Sequence, residues 1–137
     1  MTVLLVDAAN VVGSRPDGWW RDRAGATTRL LDRLAVLQGR ELSGPDGGSV
    51  VCDEVVAVVE GQARDVPAPE GVQVERAAGS GDDALVANAV RRAGEGGRLL
   101  VVSADRGLRA RLPQEVGVAG PGWLLEALDQ IGRARQE

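Results

Sequence analysis

The sequence predicts an α/β protein in three layers, with helices on both faces of a mostly parallel five-stranded sheet. Three observations carry that expectation. Short apolar runs rich in Val and Leu alternate with stretches of helical periodicity along the whole chain. The runs are continuous rather than alternating, as in strands covered on both faces. The length of 137 residues suits one domain spanning 1–137, and neither an internal repeat nor a linker-like segment divides it.

Taken in order, Val3-Leu4-Leu5-Val6 reads as the first buried strand, closed by Asp7. From about Asp22 to Gln38, Leu30, Leu34 and Leu37 recur at helical spacing, and Gly39 supplies a C-terminal stop. Arg40 to Ser49 is rich in Gly and polar residues and is expected to be a mobile loop. Val55 to Val59 is the second strand. Gln62 to Gly71, with Pro67 and Pro69, is a second mobile loop, and Val72 to Val74 is a weaker third strand. A helix is expected over Gly81 to Ala93, with Leu85, Ala89 and Val90 on its apolar face. Leu99 to Val102 is the fourth strand. A short helix follows Asp105, carrying Leu108 and Leu112, and Pro113 lies beyond its end. Val116 to Val118 is a weak fifth strand. Pro121 suits the first turn of a last helix that runs to about Arg133 and carries Trp123, Leu124, Leu128 and Ile131.

Composition removes several chemistries. His is absent, which excludes a Ser-His-Asp triad, a His general base and a His-ligated zinc site. Cys52 is single, so the chain can form neither an internal disulfide nor a thiolate metal cluster. Phe and Tyr are also absent, leaving Trp19, Trp20 and Trp123 as the only rings. The same bias removes Lys and nearly all Ile and Asn; these residues share AT-rich codons, so the composition points to a GC-rich bacterial genome rather than to function. The net charge of -4 argues against binding nucleic acid by bulk electrostatics alone. The N-terminus has neither the basic start of a signal peptide nor the length of a membrane span, so a cytoplasmic protein with no membrane partner is expected.

The pattern that carries chemistry is positional. Asp7 follows the first strand and Glu60 the second, Asp82 and Asp83 open the helix after the third, and Ser103 and Asp105 close the fourth. In a parallel sheet these strand ends share one edge, the edge where open α/β folds bind ligands. Carboxylates brought together raise one another's pKa unless a cation intervenes. Oxygen donors without His or Cys suit Mg2+ or Mn2+. Such an ion can serve phosphodiester hydrolysis without a protein nucleophile.

Val3-Leu-Leu-Val-Asp7-Ala-Ala-Asn10 resembles the opening motif of PIN-like nucleases, and of their NYN branch in particular. Gly81-Asp82-Asp83-Ala-Leu85-Val-Ala resembles that superfamily's acidic helix start, and Leu99-Leu-Val-Val-Ser103-Ala-Asp105-Arg-Gly-Leu108 resembles its strand-Ser-x-Asp element. The motifs keep the family's order and span roughly residues 3 to 112. The resemblance implies a sheet of strand order 3-2-1-4-5 and metal-dependent RNA cleavage that leaves a 5′-phosphate. It implies Asp7, Asp82 and Asp105 as metal-binding acids, Asn10 and Ser103 as their polar supports, and Asp83 as an auxiliary ligand. Many relatives carry a further acid between the first two strands; here Asp22, Asp32, Glu60 or none would fill that role.

Plainer roles compete at each position. Asp105 is a good helix N-cap, and Ser80 with Asp83 fits a capping box. Asn10 suits a turn, Ser103 a loop amide, and Glu60 a solvated turn. Asp7 is harder to assign to structure alone, because an acid ending a buried strand needs a partner. The Trp19-Trp20 pair, beside Arg21 and Arg23, would either stack bases or anchor its loop, with anchoring expected for at least one ring. Trp123 is expected in the core.

The function expected is a metal-dependent endoribonuclease, with Arg21 and Arg106 holding the substrate backbone. Two alternatives stay open: a metal-dependent nucleotide phosphohydrolase, and an inactive PIN-like module that binds RNA or protein. A haloacid-dehalogenase mechanism fits poorly, because position 9 is Ala where a second Asp would be needed. RNA is the expected partner, and a homodimer or an antitoxin-like protein partner is left open.

Overall fold

The structure, a computed structural model, describes residues 1–136, with side chains through residue 134. The strands are β1 (Thr2–Asp7), β2 (Glu41–Ser43), β3 (Ser49–Val51), β4 (Glu54–Val59), β5 (Gln73–Arg76), β6 (Arg98–Val102) and β7 (Gly117–Ala119). The helices are α1 (Ala8–Val12), α2 (Arg23–Leu34), α3 (Gly81–Ala93), α4 (Arg106–Ala110) and α5 (Pro121–Gln136). The main sheet has the order β5-β4-β1-β6-β7, and every neighbouring pair is parallel. Counting only these five strands, that is 3-2-1-4-5, the expected arrangement.

Strand phase explains why the apolar runs are unbroken. Side chains alternate across a strand, and here both faces are covered. Leu4, Val6, Val55, Ala57, Val59, Leu100 and Val102 face the layer that holds α1, α2 and α5. Val3, Leu5, Val56, Val58, Leu99 and Val101 face Leu85 and Ala89 of α3 and Leu108 of α4. An apolar residue is therefore needed at every position, and the three-layer α/β/α fold follows.

Four expectations need correction. Residues 40–49 do not form an open loop: Glu41–Ser43 and Ser49–Val51 pair as an antiparallel hairpin. Leu42 and Val50 are buried beneath it, and the Trp123 indole N–H donates to the Ser43 carbonyl at 3.0 Å. Trp123 is thus half-buried and serves as the pin between α5 and the hairpin rather than as interior core. Residues 62–71 contain no strand, but the segment is held down by a 3-10 turn at Gly61–Ala63 and by buried Ala63 and Val66. On α3, Val90 is 53% exposed, and the buried place near it belongs to Asn88, whose carbonyl accepts from Arg92 Nε at 2.6 Å. No helix is long and apolar enough to cross a membrane among the described residues.

Candidate functional site

The sheet places the acids by phase as well as by edge. On β1, Asp7 is in step with Val3 and Leu5; after β4, Glu60 continues the step of Val56 and Val58; after β6, Ser103 continues that of Leu99 and Val101. All three fall on the side covered by α3 and α4. Helix α3 begins there and delivers Asp82 and Asp83 in its first turn, and Asp105 is the N-cap of α4. The strand order reverses at β1, between β4 and β6, which is where open α/β sheets form their crevice.

Asp7 is the hub. It is 7% exposed. Ser103, fully buried, donates its hydroxyl to Asp7 Oδ2 at 3.0 Å, and the Asn10 backbone N–H approaches Oδ1 at 3.4 Å. Ser103 Oγ in turn accepts the Asp105 N–H at 3.1 Å. The Asn10 side-chain carbonyl accepts the Ala104 N–H at 2.8 Å, so Asn10 ties the first turn of α1 to the loop after β6. Asn10 and Ser103 therefore brace the crevice from both sides. Helix α1 itself begins directly after Asp7, an element that the sequence pattern did not announce.

The electrostatics follow from this placement. Burial pushes the Asp7 carboxyl up to about 6; the Ser103 and Asn10 hydrogen bonds pull against that, and the charges of Asp82 and Glu60 add to it. Asp82 is also raised, first by burial and then by Asp105 and Glu60, with Arg111 opposing. Asp7, Glu60, Asp82 and Asp105 take part in no ion pair among the described residues.

Glu60 is not the solvated turn residue expected. Its carboxylate accepts the Gly81 N–H at 2.5 Å, joining the end of β4 to the start of α3. A Cβ on residue 81 would stand 2.6 Å from that carboxyl group, so glycine there makes room for Glu60. Of the other fourth-acid candidates, Asp22 is committed to capping α2 through the Gly25 N–H at 2.9 Å. Asp32 lies beside Leu128 and Ile131 of α5, away from the edge. The plainer roles also hold in part. Asp105 Oδ1 accepts the Leu108 N–H at 3.0 Å as an N-cap. Ser80 Oγ meets the Asp83 N–H at 3.4 Å, but the exposed Asp83 carboxylate turns to Arg111 at 2.8 Å instead of completing the box.

The arginines divide. Arg109 Nε donates to the Ser103 carbonyl at 2.6 Å and so supports the loop. Arg106 is exposed at the start of α4. Arg21 lies over the Trp20 ring, 5.9 Å from its centroid. Trp19 packs on the core and Trp20 is 53% exposed, so one ring anchors the segment and the other faces solvent.

Among the described residues, no group of three or more acidic, cysteine or histidine side chains is arranged to hold one metal ion. Magnesium, however, commonly takes one or two carboxylates and keeps several waters. The donor set is entirely oxygen, and two of its acids, Asp7 and Asp82, are raised first by burial and further by neighbouring carboxylates, a repulsion that a cation would relieve. The residues fit such an ion held by a pair of these acids.

No protein-family profile matches the sequence, and no curated protein matches it. Among solved structures, the chain is similar to Rae1 (YacP) from Bacillus subtilis, with a TM-score of 0.70 and 19% identity over 99% of this chain and 78% of that one. A point mutant of the same protein gives a TM-score of 0.69 and 19% identity over 98% and 79% of the two chains. At that identity the likeness establishes the fold alone: a three-layer α/β/α protein similar to Rae1.

Proposed function

We propose that this chain is an endoribonuclease that hydrolyses phosphodiester bonds with Mg2+ or Mn2+ bound among Asp7, Asp82 and Asp105, two of them serving as direct ligands and waters completing the shell. Glu60 completes the acidic row, and Asp83, paired with Arg111, stays at its margin. The observation that carries this reading is the charge balance at the crevice. Four carboxylates from four separate segments meet there without an arginine ion pair among the described residues, and the most buried of them is held up at about 6. Asp7, Glu60 and Asp105 each accept a backbone N–H, but those bonds do not offset the repulsion among the acids, and for buried Asp7 a charge without a cation is costly. The resemblance of the three acidic motifs to PIN-like, NYN-type nucleases supplies the substrate class.

When bound, the ion supplies Lewis acidity at the phosphate and lowers the pKa of a water it holds. The chain supplies the geometry. Ser103 and Asn10 fix the Asp7 carboxylate in one orientation, and the Asn10 bridge to Ala104 keeps the β1 and β6 ends in register. In this reading Arg106, exposed beside Asp105, and Arg21, over the Trp20 ring, would hold the phosphates of the substrate backbone.

The test is a manganese titration of wild type and Asp7→Asn by calorimetry, with folding checked by circular dichroism, followed by an RNA cleavage assay. Binding and cleavage by wild type, both lost in a folded Asp7→Asn protein, are the expected results. Retained cleavage in Asp7→Asn overturns the assignment. A folded wild type that binds no manganese turns the reading toward an inactive binding module.

A further inference from the structure

A cleft of ≈ 230 Å³ opens on the face opposite α3, between α1, the start of α2 and the turn after β4. Its walls include Val12, Trp19, Arg23, Thr27, Glu60 and Gln62. We infer that this cleft holds one unpaired nucleobase of the strand whose phosphodiester lies over the acids. The inference rests on the ribonuclease reading above.

Four features point to that occupant. The cleft is smaller than the ~300 Å³ at which pockets for drug-sized molecules begin, which suits a single ring system rather than a larger ligand. One wall is aromatic and rigid: Trp19 packs on the core, the Arg23 guanidinium lies 5.0 Å from its ring centroid, and Trp20 meets it edge-on at 6.1 Å and 88°. Base stacking on aromatic and guanidinium planes is how unpaired nucleotides are held. The polar side chains of the lining are Thr27, Gln62, Glu60 and Arg23, a small set of the kind that orients one polar-edged ring. Finally, Glu60 belongs to both places. It lines the cleft, and its carboxylate holds the Gly81 N–H at the start of the acid-bearing helix. A base in the cleft would therefore share Glu60 with the acidic crevice. A paired base cannot enter, so the cleft selects single-stranded substrate.

The experiment measures binding of a fluorescein-labelled single-stranded RNA hexamer by anisotropy, with EDTA present so that binding is read without turnover. Two variants are compared with wild type. Trp19→Leu removes the stacking wall. Ala9→Leu fills the cleft from its exposed rim on α1, where no core packing is disturbed. The expected result is binding by wild type that weakens on the order of tenfold or more in each variant, the size of one lost base–aromatic stack. A duplex of the same sequence should bind more weakly than the single strand. Absence of single-strand binding by wild type, unchanged affinity in a folded Ala9→Leu protein, or duplex binding equal to single-strand binding overturns the inference. Cleavage separates this failure from that of the parent reading: if Asp7→Asn is inactive while Ala9→Leu keeps the wild-type KM, only the base pocket falls. If Asp7→Asn still cleaves, the nuclease assignment falls whatever the cleft binds.

Discussion

The two ends of the sheet use the same residue types to opposite effect. At the amino-terminal edge, the acids Glu54 and Asp53 both have partners. Glu54, opening β4, meets Arg92 at 3.2 Å; the same guanidinium reaches Asn88 at 2.6 Å and Gln73 at 3.3 Å. Asp53 accepts the Thr2 N–H at 2.6 Å. At the carboxyl-terminal edge, Asp7, Glu60, Asp82 and Asp105 face one another, and their hydrogen-bond partners are amides and a serine hydroxyl. One edge balances its own charge, and the other leaves the negative charge that the proposed cation would meet. A network that satisfies its own charges leaves nothing for a substrate, whereas mutual repulsion stores affinity for a cation.

Four substitutions would break or sharpen that contrast. Arg92→Ala should have the largest effect on stability, about 2–3 kcal/mol in urea unfolding, because it strips partners from Glu54 and from buried Asn88. Manganese binding should stay intact, and loss of binding would show that the two edges are not separable.

Asp7→Asn should do the reverse and stabilise the metal-free protein at neutral pH, by on the order of 2 kcal/mol. The folded carboxyl titrates at about 6, above the ~3.9 of an unfolded Asp. A raised folded pKa contributes stability that is complete below the unfolded value and is lost as pH rises through the folded one. The advantage of the variant should therefore be negligible near pH 4, grow between about pH 4 and 6, and level off above that. Thermal melts across pH 4–8 with EDTA read it directly; a variant less stable than wild type at pH 7.5 would mean that the Asp7 charge is already compensated.

Gly81→Ala should leave unfolding free energy within about 1 kcal/mol of wild type, because the clash falls on the flexible end of Glu60. Manganese affinity should drop roughly tenfold as that carboxylate is displaced; unchanged affinity would remove Glu60 from the site. The smallest effect belongs to Asp129→Ala. Arg33 and Arg15 hold this carboxyl below the ordinary range, but the pairing is partly solvated, with distances of 2.6 and 3.0 Å. Its loss should cost under about 1 kcal/mol in the same unfolding assay.

Much of the fold was legible because the signals were local. Continuous Val and Leu runs placed three of the main strands and the weaker Val72–Val74 and Val116–Val118 patterns the other two, all within one or two residues, and Gly81–Ala93 appeared with the boundaries expected of it. The hairpin at residues 41–51 was not legible, since its strands are short and its stability comes from Trp123, more than seventy residues away. Val90 and Asn88 exchanged burial because the Arg92 guanidinium supplies Asn88 with a partner that hydrophobic periodicity does not register. Glu60 was underrated for a similar reason: beside a glycine it looks like any turn acid. Counting its phase with Val56 and Val58 would have put it on the face of Asp7.

By itself, the sequence determined the class of fold, the edge on which the acids gather and the exclusion of His and Cys chemistry, because each depends on residue type and short-range period. Only the tertiary structure decided which acids are left unpaired. Pairing depends on distances between segments far apart in the chain: Asp83 and Asp129 found arginines, while Asp7, Glu60, Asp82 and Asp105 found one another.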